Sequence, residues 1–180
     1  MTRRSLLVVT LAALGMLCGC AGMMMDVKDV DADHATLALK SGQTVAIDDA
    51  TLEASFQKAN DKADAKQLAA KLKQQLAAKL EQKGVTVDPS SEHKLTVEIT
   101  RYDKGCGACR GFFPFFGLGD TYLDGKVTLA LPAGERVLVV NKTGQMTGTS
   151  QIGDQTESNI GYFATVVASK LADDEAQATD

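Results

Sequence analysis

The segment Lys94–Tyr102 (KLTVEITRY) alternates without a break, with Leu95, Val97 and Ile99 on one side and Thr96, Glu98 and Thr100 on the other. Strict alternation describes a strand with one face against a core and the other in water. Such a strand requires partners along the sheet and a second layer over its apolar face. The chain must therefore supply a sheet and something amphipathic to cover it.

The cover is legible on both sides of that strand. Asp61–Lys83 carries Leu68, Leu72, Leu76 and Leu80 at a spacing of four, with Ala65, Ala69 and Ala77 beside them and Lys and Gln elsewhere. This spacing predicts an amphipathic helix, with Asp64 and Gln67 as a capping box and Gly84 as its stop. A spacing of four drifts round a helix, unlike a 3-4 heptad seam, so the stripe is expected to pack on the protein's own sheet. Asn159–Leu171 repeats the pattern through Ile160, Phe163, Ala164, Val167, Ala168 and Leu171, capped by Thr156 or Ser158. Further strands are expected as a hairpin of Ala35–Lys40 with Thr44–Ile47 around Gly42, a short Val85–Val87, and Thr121–Leu131 with Arg136–Met146 around Pro132-Ala133-Gly134. The expected fold is α+β, a mostly antiparallel sheet with two helices packed on one face.

The N-terminus gives an address. Arg3 and Arg4 precede an apolar run, Leu6–Leu17, that is too short to span a bilayer and fits an export signal. It ends in Leu17-Cys18-Gly19-Cys20, which resembles the bacterial lipobox, with Cys20 as the lipidated residue. The alternative is an ordinary secretory signal that leaves Cys20 a free thiol. The pair Arg3-Arg4 also faintly resembles a twin-arginine signal. Two or three acyl chains on one residue anchor far more firmly than one. Ala21 stands where an Asp favours inner-membrane retention, so the expected location is the outer membrane, periplasmic face. The organisation expected is a signal peptide over 1–19, a lipidated N-terminus and tether over 20–33, one domain over 34–172, and a disordered acidic tail over 173–180.

Composition narrows the partners. Residues 1–19 hold two of the nineteen basic residues and none of the twenty-three acidic ones, leaving a net charge of −6 on the rest. Nucleic acid, which needs clustered Lys and Arg, is not an expected partner. The expected partners are the membrane, through lipid on Cys20, and a protein of the cell envelope.

The most unusual stretch is Gly105–Asp120 (GCGACRGFFPFFGLGD). Cys106 and Cys109 have three readings. A redox CxxC needs a helix after the motif, which Pro114 and the glycines oppose, and a zinc site needs two more ligands, which His34 and His93 do not offer at a recognisable spacing. A local disulfide suits an oxidising compartment. Phe112, Phe113, Phe115 and Phe116 follow Arg110. They either plug one end of the core or form an apolar contact for lipid or a partner. No nucleophile–base constellation occurs, and Gly117-Leu118-Gly119 is only half a dinucleotide fingerprint with no helix after it. A non-enzymatic binding or assembly module is therefore expected, without cofactor or metal. The alternatives are a thiol or metal protein using Cys106 and Cys109, and a lipid-handling accessory protein.

Leu95–Tyr102, Gly105, Arg110, Gly117-x-Gly119 and the strand Gly125–Leu131 together resemble a family of proteobacterial lipoproteins of unknown function. Its pattern is a strand, a Gly- and Arg-bearing loop ending in GxG, and a β-hairpin. The likeness spans about the last two-thirds of the mature chain, and the CGACRGFFPFF stretch departs from it. It implies a binding or assembly role and assigns no catalytic residue.

Overall fold

The computed structural model of the chain describes residues 24–53, 59–103, 122–143 and 156–172. Among these, seven strands and two α-helices follow in the order β1 (Met24–Asp29), β2 (Thr44–Ile47), β3 (Thr51–Leu52), α1 (Ala59–Gln82), β4 (Thr86–Val87), β5 (Lys94–Asp103), β6 (Tyr122–Leu131), β7 (Gly134–Thr143) and α2 (Thr156–Leu171). A 3-10 turn, Ala32–His34, lies between β1 and β2. The protein is α+β, with a mixed and mostly antiparallel open sheet.

The sheet runs β1-β7-β6-β5-β2-β4. β5, β6 and β7 form an antiparallel meander, closed at the far side by β1 antiparallel to β7. On the other side β2 and then β3 lie parallel to successive parts of β5, and β4 is parallel to β2. The strand β5 buries Leu95, Val97 and Ile99, as its alternation requires. They join Leu123, Val127 and Leu129 of β6 and Leu138 and Val140 of β7 in one core with Leu68, Leu72, Leu76 and Leu80 of α1. Phe163, Val167 and Leu171 of α2 complete it. Gly125 lets the α2 layer approach: a Cβ there would sit 3.1 Å from Phe163 Cζ and 3.1 Å from the Glu98 carbonyl. The ring of Phe163 occupies the space that a side chain on β6 would take.

Helix α1 ends as the sequence predicts. Gly84 has φ +80. Its N–H donates to the Glu81 carbonyl at 3.0 Å, and Val85 N–H donates to the Leu80 carbonyl at 3.0 Å. Those two bonds are the Schellman pair, and Val85 packs with Leu80 in the core as the motif favours. The start differs. The helix begins at Ala59, so Asp64 and Gln67 lie inside it and do not form its capping box. In α2, Thr156 is already helical and Ser158 is interior.

Two expectations are corrected. Residues 24–29, expected within a tether, are strand β1, registered from Met24↔Thr143 to Asp29↔Leu138. The folded domain therefore begins ten residues earlier than 34, because Met25 and Val27 pack against the core. The hairpin of 35–40 with 44–47 does not form. β2 pairs with β5 and β4, and Leu39 makes only an isolated parallel bridge to Ala172. Val45, Ala46 and Ile47 are all buried, so β2 needs neighbours deeper in the sheet than a two-stranded ribbon provides.

Candidate functional site

Cys20, Cys106, Cys109, Arg110, Phe112, Phe113, Phe115 and Phe116, and the tail 173–180, lie outside the described residues. The strands that carry the 104–121 connection are described. Its two flanking residues, Asp103 and Tyr122, are register partners, so it leaves and re-enters the sheet at one place.

The strand pair at that place is irregular. The β5–β6 register shifts between Ile99 and Arg101. A bulge of this kind re-aims the residues beyond it. Unbroken alternation would put Arg101 on the core side and Tyr102 outside. Instead Arg101 is exposed, with its guanidinium 4.0 Å from the centroid of the Tyr122 ring, and Tyr102 turns toward the core. The Tyr102 hydroxyl shares a 3.1 Å hydrogen bond with Thr156 Oγ1 at the start of α2. One turn along α2, Asn159 is 1% exposed, and neither atom of its amide has a hydrogen-bond partner. Leaving such a group unpaired costs about 1–3 kcal/mol.

At the opposite end of the sheet lies a polar knot that the sequence reading missed. Arg136 of β7 is 6% exposed. Its Nε and Nη2 donate to the two carboxylate oxygens of Asp29 at 2.6 and 3.2 Å. Its Nη1 donates to the Leu37 and Lys170 carbonyls, each at 2.9 Å. The guanidinium thus ties β1, the segment after the 3-10 turn and the C-terminal turn of α2 to β7. It satisfies a carbonyl that the end of α2 leaves open and brings positive charge to the negative end of the helix. A signal was present in the sequence: Arg136 has the same parity as Leu138 and Val140.

Two open clefts border α1. One, of about 580 Å³, is lined by Ser41, Lys79, Gln82, Gly84, Thr165 and Ser169, with Lys83 and Ala168, between the two helices. The other, of about 530 Å³, lies between α1 and the β2–β3 link and includes Asp49, Leu52, Lys66 and Lys73. Lys73 Nζ donates to Asp49 Oδ1 at 2.7 Å. That hydrogen bond, with the charge of the ammonium, holds the Asp49 carboxyl below its usual range. In the β4–β5 turn, hydrogen bonds from the Ser90 hydroxyl and then its N–H lower Asp88 in the same way. A Lys71–Glu157 ion pair joins the two helices.

Among the described residues no cluster of three or more His, Cys, Asp or Glu is placed to hold a metal ion. No described helix is long and apolar enough to cross a membrane.

These features define a class, an α+β domain whose open mixed sheet carries two helices. Within it, the chain belongs to a family described as a domain of unknown function, DUF4410, which matches residues 25–156. That match starts one residue into β1, in keeping with the earlier start of the domain. No curated protein matches the chain. Among solved structures the fold is similar to a PelC dodecamer from Paraburkholderia phytofirmans, with a TM-score of 0.53 at 13% identity, covering 82% of this chain and 97% of that one.

Proposed function

We propose that the protein is a lipid-anchored, non-enzymatic module of the bacterial envelope that binds or assembles with other chains. The observation that carries this reading is the short distance from Cys20, in its lipobox-like setting, to the first strand of the sheet at Met24. The sorting residue Ala21 supports the outer membrane, periplasmic face. Signal cleavage before Cys20 and a Cys106–Cys109 disulfide belong to the same reading, since both require export. The assembly role draws support from the open sheet. Among the described residues, β1 and β4 have no strand on their outer sides, and open edges are the places where chains add to one another. A similar fold occurs in a dodecamer, so further copies of this chain are the first partner to examine.

The test combines anchoring and association. Cells expressing the full chain are labelled with radioactive palmitate and fractionated, beside a Cys20→Ala variant. The reading requires label on the wild type only and release of the variant from the membrane. Detergent-solubilised wild type is then weighed by light scattering, and the edge is probed by a photo-crosslinker at Lys28. A lipidated chain that is monomeric and captures no envelope protein from Lys28 counts against assembly through β1. An unlabelled, soluble wild type counts against anchoring.

A further inference from the structure

Among the described residues, β1 is the last strand on its side of the sheet. One contact fixes which of its backbone groups are free to bond outward. The N–H of Val30 donates to the Val137 carbonyl at 2.9 Å, continuing the register that pairs Asp29 with Leu138. Bonded pairs alternate along an antiparallel ladder, so the N–H and C=O of Asp26 and Lys28 also turn toward β7. Those of Met25, Val27 and Asp29 turn outward, and no described backbone group pairs with them. The side chains alternate across the same strand. Met25 and Val27 pack on the core and Asp29 meets Arg136, which leaves Asp26 and Lys28 on the opposite face.

An open edge of this kind pairs with another extended strand. A second copy of β1, antiparallel about a two-fold axis, bonds only where outward-turned residues face each other. Centred on Asp26 or on Lys28, such a pair sets like charges face to face, which is unfavourable. Centred on Val27, it sets Met25 opposite Asp29 and Val27 opposite Val27, each pair exchanging both N–H···O=C bonds. Asp26 of each copy then faces Lys28 of the other, at the positions between bonded pairs where opposed Cα atoms come within about 4.5 Å. The two residues already bridge at 2.8 Å within one strand, so two copies gather charges of alternating sign into one cluster. A lysine on an edge ordinarily discourages pairing. The acid two residues before it makes that deterrent selective, rejecting the shifted registers and accepting this one. Val30, 63% exposed, falls opposite Met24 in the same register.

We infer that β1 is a self-pairing edge: two copies of the protein join through antiparallel β1 strands centred on Val27, with Asp26 of each facing Lys28 of the other. The inference rests on the assembly reading and supplies its partner, register and symmetry.

The full lipidated chain in detergent is expected to show a light-scattering mass of an even number of copies. Asp26→Lys and Lys28→Asp each set like charges face to face and are expected to weaken association about tenfold. An equimolar mixture of the two variants makes every facing pair opposite in sign again, as does the doubly exchanged Asp26→Lys/Lys28→Asp chain. Both are expected to restore association. Amide exchange of the wild type needs no substitution: the peptide spanning 24–30 should gain protection as protein concentration rises, through the N–H groups of Met25, Val27 and Asp29. Single variants that associate as well as wild type, or a doubly exchanged chain as weak as the singles, overturn the pairing. Copies that associate without added protection at 24–30 also overturn it, and leave assembly through another surface standing. A wild type that stays monomeric overturns the pairing, and if a photo-crosslinker at Lys28 then captures no envelope protein, the assembly reading falls with it.

Discussion

Arg136 and Asp29 show how much one pair of side chains holds. The guanidinium is buried and Asp29 retains 21% of its side-chain exposure, so the two partners are not equivalent. Asp29→Asn leaves a buried cation without its counter-charge and is expected to cost about 3 kcal/mol in urea unfolding. Arg136→Met removes the charge but leaves the Leu37 and Lys170 carbonyls without their donor, at a cost expected to be about 2 kcal/mol. The ordering of the two variants checks the asymmetry. Gly125→Ala is a second residue-scale test. Its Cβ meets backbone on one side and the Phe163 ring on the other, so the ring must shift, with an expected loss of about 1–2 kcal/mol. The sequence shows a glycine among alternating residues and an arginine of core parity. Their meaning depends on residues more than twenty-five positions away, which no local pattern reports. Tyr102 is similar: its inward turn depends on a bulge that the unbroken KLTVEITRY pattern conceals.

Elements were legible wherever their period was strong and their partners local. The leucine stripe of α1, the stripe of α2 and the β6–β7 hairpin follow from spacing alone. Strand β1 escaped because its inward set is Met25, Val27 and Asp29, an apolar pair followed by an acid. The acid is tolerated there only because Arg136 meets it. The β2–β5 pairing escaped because a parallel pair needs a crossover, here through α1, and turn chemistry cannot announce it. Two expectations follow at this scale. Leu76→Ala, at a fully buried position, is expected to lose about 2–5 kcal/mol by thermal or chemical unfolding. A chain that starts at Val30 loses Met25 and Val27 from the core and leaves Arg136 without the Asp29 counter-charge. It is expected to show no cooperative unfolding transition by circular dichroism, whereas a true tether would be removed without effect.

For the molecule as a whole, the α+β class and the two-layer plan could be read from the chain, while the extent of the domain could not. The stretch that the sequence singles out lies outside the described residues, and of its surroundings only the paired ends of β5 and β6 are described. The bridging of Cys106 and Cys109 is a chemical expectation, checked by labelling periplasmic extract with and without reductant. Thiols that react before reduction would count against a disulfide. Asp49 supplies a pH signature of the α1–sheet contact. Its carboxyl is held low in the folded state, so its pairing stabilises the fold above the ordinary carboxylate value of 3.8 and is lost as pH falls below it. The melting temperature of Lys73→Gln should therefore lie slightly below wild type at neutral pH and converge with it in strong acid. The effect is small because the pair is exposed.

The position of β1 also sets how the protein bears load. For a chain held by lipid on Cys20, a pull directed along β1 would enter the sheet at Met24. The hydrogen bonds to β7 lie across that axis. They are loaded together in shear rather than opened one after another. The Asp29–Arg136 knot sits at the end of the strand farthest from the pull, where it locks the last register pair. In a chain so anchored, this six-residue strand would be the mechanical fastening between lipid and core.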